Sequence, residues 1–513
     1  MNSKKTAAQS GPVLSAPAEQ RRLAFVIWNF DILPTDVFTQ LVDRVCRQGF
    51  TTVRLHLSWF NAEKSPGIYE FAPYDAQIAY IAAKGMDVIL TVDLQRRATV
   101  QKDGTKTALD AVIDTDEFQY AYNSDTHVPD THYGTAMISY ASVRGTECMV
   151  RFYGAAIRHF AENFGHDVIA YAYPTFTPYC ETEYWCAGAY DYSVHMKRAF
   201  EAYLCETYAS VDDLNLDLGA EYPSFAAVPM PDDTDRGTLG VLFYQCRHRV
   251  LKTLIDRLAA EQKAIAPEIP FAVQFGCVWD EAAIRRCTLG FGTLSEHAAL
   301  VVVDDAPGFD HAFSMDYLAS VLSGTGKAFG NEIDGYYMME NGVTTAEGYM
   351  EQALTSYRHN ASVQYVANWM VDRPLVNYGY IFSTAAQEYL RAEHPECVTE
   401  DPEREQVPVS LLKLFETGDS RDYQDDYRRI SDDGEQFCRI RVHDDLTEKA
   451  YPSSVKGKDI RIDVITPEDV HRQEEEKKTV KDAAMAVAAI GAAAAIVALG
   501  VAVKVFFSDR DEK

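Results

Sequence analysis

The sequence predicts an α/β fold: a (β/α)8 TIM barrel with a C-terminal extension and a single C-terminal transmembrane helix. Short apolar runs alternate with amphipathic helical patterns over residues 21–395, as in a parallel sheet covered by helices. Eight such runs can be counted, the number that a closed barrel of this kind needs. A long uncharged stretch near the C-terminus has the length of a membrane span.

Each predicted strand ends where its apolar run ends. The strands are Leu23–Phe30, Thr52–Leu57, Met86–Val92, Asp167–Tyr173, Phe271–Phe275, Ala299–Val303, Lys327–Gly330 and Ser362–Ala367. Helical patterns at Thr35–Arg47 and around Tyr74–Ala83 follow the first two strands and stop at Gly49 and Gly85. A barrel of this kind carries its functional residues at the C-terminal ends of its strands.

Two glutamates follow the fourth and seventh predicted strands. Glu181 lies in YPTFTPYCETEYW and Glu332 in GKAFGNEIDGYY. Cleavage of a glycosidic bond needs two carboxyl groups, one to protonate the leaving oxygen and one to attack the sugar carbon or to activate water. The chain has 76 Asp and Glu residues, and most such residues are solvated surface charges, so the pair needs further support.

That support is a resemblance in two segments, Gly49–Leu94 and Arg198–Pro231. The first resembles the second and third barrel units of retaining glycoside hydrolases, especially the beta-galactosidases of family 42, and the second resembles the segment after their acid/base strand. The matching positions of the first segment are Arg54, Trp59, Pro66, Gly67, Tyr69, Phe71, Asp75 and Gly85. The resemblance implies a barrel that hydrolyses beta-glycosides by a retaining mechanism.

The resemblance also implies roles for individual residues. A strand of the form Lys-x-Phe followed within a few residues by Glu carries the nucleophile of the family, which implies that role for Glu332. Arg54 resembles the arginine that orients the nucleophile, the alternative being a structural salt bridge at the barrel rim. Asn331 is expected to fix geometry or to contact a sugar hydroxyl.

The acid/base position departs from family 42. The family ends its fourth strand with an Asn-Glu pair, whereas this chain has no carboxylate between Tyr173 and Phe176. The following PYCETEYW is similar to the acid-bearing loop of beta-amylases, which implies Glu181 as the acid/base and Tyr184 as its aromatic neighbour. Glu183 is the competing candidate, and the alternative for Glu181 is a loop cap in a site that has lost its activity.

Aromatic and acidic residues near other strand ends are candidates for binding substrate, because sugar faces stack on rings. Trp369 resembles the eighth-strand tryptophan that forms the floor of the sugar subsite in this group of hydrolases. Trp59 is one of the matching positions in Gly49–Leu94. Asp304 and Asp305 end the sixth strand and either bind sugar hydroxyls or cap a loop.

Composition excludes several other functions. The net charge of −28 argues against binding to nucleic acid or to anionic lipid, since both require a basic patch. The ten cysteines include no CxxC pair, so we predict no structural zinc and reduced thiols. The sequence has no phosphate-binding glycine loop, dinucleotide fingerprint or HExxH motif, so we predict no cofactor.

The predicted anchor begins at Ala483. AAMAVAAIGAAAAIVALGVAV is a 21-residue uncharged stretch, and a helix of that length spans roughly 30 Å. We expect a disordered leader at 1–20 and an acidic juxtamembrane region at 396–482. The transmembrane helix is expected at 483–507, with a short tail at 508–513. The barrel is expected on the cytoplasmic side of the membrane. An interfacial or oligomerising helix is the alternative, and its Ala and Gly spacing suggests a homo-oligomer.

Three functions remain open from the sequence. The leading one is a membrane-anchored retaining glycosidase with a carbohydrate substrate. The second is a catalytically silent barrel that binds a glycan or serves as a scaffold at a membrane, as the missing Asn-Glu pair suggests. The third is an inverting, beta-amylase-like hydrolase, as the PYCETEYW loop suggests.

Overall fold

The structure is a computed structural model of the whole chain. It describes residues 21–27, 32–47, 50–95, 131–132, 135–177, 179–186, 189–233, 235–305, 311–334, 355–357, 359–367, 406–417, 423–424, 427, 439–443 and 446.

Eight parallel strands form the centre of the molecule. They are β1 (Arg22–Ile27), β2 (Thr52–Ser58), β3 (Asp87–Asp93), β4 (Ile169–Thr175), β5 (Ala272–Phe275), β6 (Leu300–Asp305), β7 (Ala328–Asp334) and β8 (Val363–Ala367). Their order in the sheet is β4-β3-β2-β1-β8-β7-β6-β5. A parallel bridge between Ala172 of β4 and Phe271 beside β5 joins the two outer strands. The predicted (β/α)8 barrel is therefore confirmed.

Helices cover the outside of the barrel. The longer ones are α1 (Thr35–Arg47), α2 (Ala72–Ala83), α3 (Val143–Phe164), α4 (Val194–Thr207), α5 (Val211–Leu218), α6 (Thr238–Ile265), α7 (Glu281–Arg286), α8 (His311–Val321) and α9 (Leu411–Thr417). Single turns lie at Trp59–Ala62, Phe225–Ala227 and Phe291–Leu294. Two short antiparallel pairs join Glu63–Ser65 to Ile68–Tyr69 and Thr131–His132 to Thr135–Ala136. Helix α1 has the predicted bounds because Phe38, Val42 and Val45 share one buried face.

Successive side chains of each strand alternate between the barrel interior and the helix layer. The interior holds a separate apolar cluster of Ala24, Val26, Ile89, Tyr173, Ala272, Leu300, Val302, Val363, Tyr365 and Ala367. The larger cluster lies between the strands and the helices. This alternation decides which polar residues of a strand face the interior.

Strand β7 is longer than the sequence predicted. The apolar run stops at Gly330, but pairing continues to Ile333 with β6 and to Asp334 with β8. Glu332 therefore lies within the strand, opposite Asp304 of β6 and Tyr365 of β8, and not in the loop that follows it. Hydrogen bonds on both sides of the backbone fix the position of Glu332 more firmly than a loop would.

Part of the segment predicted as an acidic juxtamembrane region packs on the barrel. Strands β9 (Gln406–Ser410) and β10 (Arg439–His443) pair in parallel. Phe415 of α9 is fully buried, and the amide of Ile440 donates to Ser320 Oγ of α8 at 2.9 Å. From the sequence, FCRIRVHDDL either forms a small hairpin with DIRIDVIT or stays flexible. In the structure its residues Arg439–His443 form β10 and pair with β9, and DIRIDVIT lies outside the described residues.

The predicted membrane span also lies outside the described residues. Among the residues that the structure does describe, no helix is both long enough and apolar enough to cross a bilayer. The anchor at 483–507 therefore stays a prediction from the sequence.

Candidate active site

The carboxylate of Glu332 lies in a polar cluster at the C-terminal end of the barrel interior. Arg54 Nη1 of β2 lies 3.3 Å from Glu332 Oε2, and Gln274 Nε2 of β5 donates to the same oxygen at 2.6 Å. Glu332 is 2% exposed and Arg54 is 1% exposed. A buried carboxylate with a cation and an amide donor is favoured in its ionised form.

Tyr173 of β4 orders this cluster. Its hydroxyl accepts a hydrogen bond from Arg54 Nε at 2.7 Å and donates one to Gln274 Oε1 at 2.6 Å. Because the amide oxygen of Gln274 is occupied by Tyr173, its NH2 group is directed at Glu332. Burial raises the pKa of Tyr173 well above its ordinary value, so the hydroxyl stays neutral and remains a donor.

The loop after β4 folds into a tight turn that carries Glu181. The amide of Cys180 donates to the carbonyl of Thr177 at 3.0 Å, and the amide of Glu181 donates to Thr177 Oγ1 at 3.0 Å. The Thr177 hydroxyl also contacts Glu181 Oε2. The amide of Thr182 donates to the carbonyl of Gln274 at 2.6 Å, which ties the turn to β5.

Arg54 connects the two glutamates. In addition to its contact with Glu332, its Nη2 donates to the carbonyl oxygen of Cys180 at 3.2 Å. Glu181, the next residue, is 4% exposed. Burial raises the pKa of Glu181 above its ordinary value, and the hydrogen bond from Thr177 partly opposes the rise. Burial thus favours the protonated form of Glu181, whereas the Glu332 carboxylate has a cation and an amide donor beside it.

Glu183, the competing candidate for the acid, is held in a different place. Its Oε2 accepts a hydrogen bond from the amide of Gly276 at 2.8 Å, and Arg286 Nε lies 3.0 Å from its Oε1. Burial raises the pKa of Glu183, and the Arg286 guanidinium opposes the rise. Both oxygens have structural partners, so the geometry favours Glu181 over Glu183 as the proton donor.

Asn331 does not lie on the same side of β7 as Glu332. Its side chain contacts His311 of α8, at 3.3 Å, and accepts a hydrogen bond from Gln364 Nε2 of β8 at 3.1 Å. Neighbouring residues of a strand face opposite sides, so a contact with a sugar hydroxyl is excluded once Glu332 faces the interior. Of its two expected roles, the structure supports fixing geometry.

Two of the predicted aromatic contacts lie in the packed core. Trp59 is fully buried, stacks on Phe152 with ring centroids 5.1 Å apart, and donates to Glu63 Oε2 at 2.6 Å. Tyr184 is 2% exposed, and its ring packs against Tyr140 at 4.6 Å. Packing on all sides leaves no face for a sugar, so we assign neither residue a role in binding substrate.

The remaining candidates are Asp304 and Trp369. Asp304 is half-buried on β6, directly beside Glu332 in the register, and shares the inner face with Val302. It is therefore placed where a bound sugar could reach it. Trp369 follows β8 and lies outside the described residues.

Sequence reasoning missed Gln274 and did not single out Tyr173 as a site residue. The signal was present for Gln274, because a polar side chain inside the short apolar strand AVQF is costly to bury without a partner. Alternation from Ala272, an interior residue, places Gln274 inside the barrel. Among the described residues, no group of three His, Cys, Asp or Glu side chains could hold a metal ion.

Comparisons with known proteins agree on the fold. No protein-family model matches the chain, and no curated protein matches it in sequence. Among solved structures, the chain is similar to the catalytic domain of a beta-amylase from Paenibacillus polymyxa, with a TM-score of 0.56 and 13% identity over 71% of this chain and 95% of that domain.

The chain is also similar to two solved beta-galactosidases. The one from Marinomonas ef1 has a TM-score of 0.58 and 13% identity over 83% of this chain and 71% of that one. A family 42 beta-galactosidase from G. stearothermophilus has a TM-score of 0.55 and 13% identity over 77% of this chain, and the chain spans 60% of its length. These similarities show a shared barrel fold.

Proposed function

We propose that the chain is a glycoside hydrolase that cleaves beta-glycosidic bonds by a retaining mechanism, with Glu332 as nucleophile and Glu181 as acid/base. The observation that supports the proposal best is the Glu332 carboxylate, buried at the C-terminal end of the barrel and contacted by Arg54 at 3.3 Å and Gln274 at 2.6 Å. Loops at this end of such barrels carry the chemistry.

The proposed reaction has two steps. In the first, Glu332 attacks the anomeric carbon while Glu181 gives its proton to the departing glycosidic oxygen, leaving a sugar ester on Glu332. In the second, Glu181 takes a proton from water, the water oxygen attacks the anomeric carbon, and Glu332 is released as a carboxylate. Arg54 favours the ionised nucleophile at both ends of the cycle.

The substrate class and the location belong to the same proposal. Beta-galactosides are favoured by the resemblance of Gly49–Leu94 to family 42 and by the fold shared with the two beta-galactosidases. We further propose that residues 483–507 anchor the chain in a membrane with the barrel on the cytoplasmic side, and that the small residues of this segment support a homo-oligomer.

A second candidate is an inverting, beta-amylase-like hydrolase. It is favoured by the PYCETEYW loop and by the beta-amylase domain, of which the alignment covers 95%. NMR of the first product formed from whichever glycoside the protein hydrolyses separates the two mechanisms, because retention keeps the anomeric configuration of the substrate and inversion reverses it. Retention requires carboxyl groups about 5–5.5 Å apart, and inversion roughly 6.5–9.5 Å.

The test of activity is a screen of aryl glycosides with the purified protein and the Glu332→Gln variant. The amide keeps the shape of the side chain and removes the nucleophile, so turnover should disappear. Because Arg54 loses its carboxylate partner, circular dichroism is used to confirm that the variant is folded. Near-native turnover by Glu332→Gln would eliminate Glu332 from the mechanism. If the wild-type protein hydrolyses none of the glycosides yet binds them, the silent glycan-binding barrel is the better description.

The assignment of the acid is tested with Glu181→Gln and, as the matched control, Glu183→Gln. Loss of the acid should slow substrates with poor leaving groups most, because only these need a proton. Glu183→Gln should instead lower the melting temperature and slow all substrates alike, since Glu183 holds Arg286. The reverse pattern would assign the acid to Glu183.

A further inference from the structure

Cys180 precedes the proposed acid and has contacts through every polar group it carries. Its carbonyl accepts from Arg54 Nη2 at 3.2 Å, its amide donates to the carbonyl of Thr177 at 3.0 Å, and its sulfur lies 3.0 Å from His56 Nδ1. Cys180 is fully buried, and so is the ring of His56 at 2% exposure. Burial raises the pKa of the Cys180 thiol well above its ordinary value, so the group stays a neutral thiol, and the tautomer of His56 decides whether the sulfur or Nδ1 is the donor.

The backbone of Cys180 is in the left-handed region, with φ of 72°. This region is strained for a residue with a side chain, and strained residues persist where surrounding contacts hold them. The three contacts of Cys180 supply that support. They involve β2 through both Arg54 and His56, and the imidazole Nε2 in turn lies 3.9 Å from Asp93 Oδ2 of β3.

We propose that Cys180 is a positioning residue for the acid: its thiol bond to His56 and its carbonyl bond to Arg54 hold the turn that presents Glu181 to a substrate on Glu332. This inference rests on the proposed function. Arg54 then contacts the nucleophile with one nitrogen and the backbone beside the acid with another, so one side chain sets the separation of the two carboxyl groups. A shift of about 1 Å in the position of a proton donor is enough to lower its efficiency.

The chain offers a matched control in Cys287. It is also fully buried and left-handed, with φ of 60°, but it ends helix α7, and its carbonyl is bonded to His248 Nδ1 at 3.0 Å. Cys180→Ala, Cys180→Ser and Cys287→Ala would be compared in the full-length protein. The serine variant keeps a hydroxyl donor to His56 and guards against loss of folding in the alanine variant.

The first readout is kcat/KM against a series of aryl beta-galactosides of rising leaving-group pKa. Cys180→Ala should lose about 10–100-fold with poor leaving groups and less than about threefold with dinitrophenyl galactoside, because misplacing the acid affects only bonds that need a proton. Cys180→Ser should recover much of the loss. In Cys287→Ala, any change in kcat/KM relative to the wild-type protein should be the same for every leaving group. Equal losses across the series, or a Cys180→Ala series that matches the Cys287→Ala series, would overturn the proposal.

The second readout is hydrogen exchange of the amides of residues 179–183, followed by mass spectrometry, which does not depend on turnover. Exchange there should be faster in Cys180→Ala than in the wild-type protein and unchanged in Cys287→Ala. If the wild-type protein hydrolyses no glycoside, the proposed function fails, and this readout alone decides the matter: faster exchange supports Cys180 as the residue that holds the turn, and unchanged exchange refutes it.

Discussion

At the scale of single residues, the site depends on Arg54. It is the cation that contacts Glu332, it donates to Tyr173, and it donates to the carbonyl of Cys180. Lysine could not reproduce three separate donors in one plane, and arginine stays charged when buried. Burying a charge to this extent costs free energy of desolvation, and the contacts of Arg54 with its partners offset that cost.

Replacing Arg54 by Met should therefore be severely destabilising. The variant leaves Glu332 as a buried carboxylate without its cation, and breaking a buried pair in this way costs about 3–5 kcal/mol. Arg22→Met is the control, because the pair of Arg22 with Asp87 is about one-quarter exposed and should cost less than about 1 kcal/mol. Urea unfolding measures both. Equal effects of the two substitutions would show that Arg54 has no special structural role.

The raised pKa of Glu181 predicts the alkaline limb of the pH profile of kcat/KM. Because burial raises the folded pKa of Glu181 above 4.5, the protonated acid persists to a pH above that value, and kcat/KM should fall as pH rises through the folded pKa. The free energy of unfolding should also fall as pH rises. The contribution of Glu181 is fully present below its unfolded pKa and is lost as pH rises through its folded pKa. Glu181→Gln should abolish this limb for activated substrates. A limb that persists in Glu181→Gln would assign the titration to another group.

At the scale of elements, strand β7 positions Glu332, the proposed nucleophile, and Gly330 allows the strand to lie where it does. A Cβ at Gly330 would come 1.8 Å from the carbonyl oxygen of Val363 in β8, a backbone atom that cannot move aside. Glu332 is two residues farther along the same strand. The close approach of β7 to β8 thus requires glycine at this position.

Gly330→Ala should accordingly disrupt the pairing of β7 with β8 and reduce both the melting temperature and turnover. The control is Gly85→Ala, where a Cβ meets no atom within 4 Å and the cost is the positive φ of 74°, about 1–2 kcal/mol. Circular dichroism melts compare the two. If Gly330→Ala is no worse than Gly85→Ala, the strands do not lie as close as described.

At the scale of the whole molecule, the barrel includes residues far beyond its eighth strand. The hydroxyl of Tyr427 donates to Asp316 Oδ2 of α8 at 3.1 Å, and the ring of Phe415 packs on Tyr244 of α6 at 5.3 Å. His359, just before β8, contacts the other oxygen of Asp316 at 2.9 Å. The segment that contains α9 and β10 is therefore part of the barrel's packing.

Two truncations test this description. A chain that ends at residue 482 should keep its melting temperature and activity, since it retains all the described contacts. A chain that ends at residue 405 should be destabilised by several kcal/mol, because Leu414 and Phe415 are fully buried and each contributes about 1.5–3 kcal/mol. Thermal unfolding distinguishes the two, and similar melting temperatures would mean that α9 and β10 add nothing to the barrel.

The sequence predicted the barrel because each strand is an apolar run, and runs of that kind identify strands buried on both faces. It brought Glu332 and Arg54 together through a resemblance to known strand ends. It could not place Trp59 or Tyr184, because an aromatic side chain suits a core and a sugar cleft equally well. Pairing of β9 with β10 was also out of reach, since a long-range parallel pair leaves no local signal.

The most direct test of the central claim is to trap the sugar ester on Glu332. A panel of 2-deoxy-2-fluoro glycosides with dinitrophenolate as leaving group, beginning with the galactoside, would be incubated with the protein, and the digested peptides would be analysed by mass spectrometry. We predict a single added fluorosugar on the peptide that contains Glu332, and none with Glu332→Gln. An adduct on a different carboxylate, or no adduct from any member of the panel, would contradict the account.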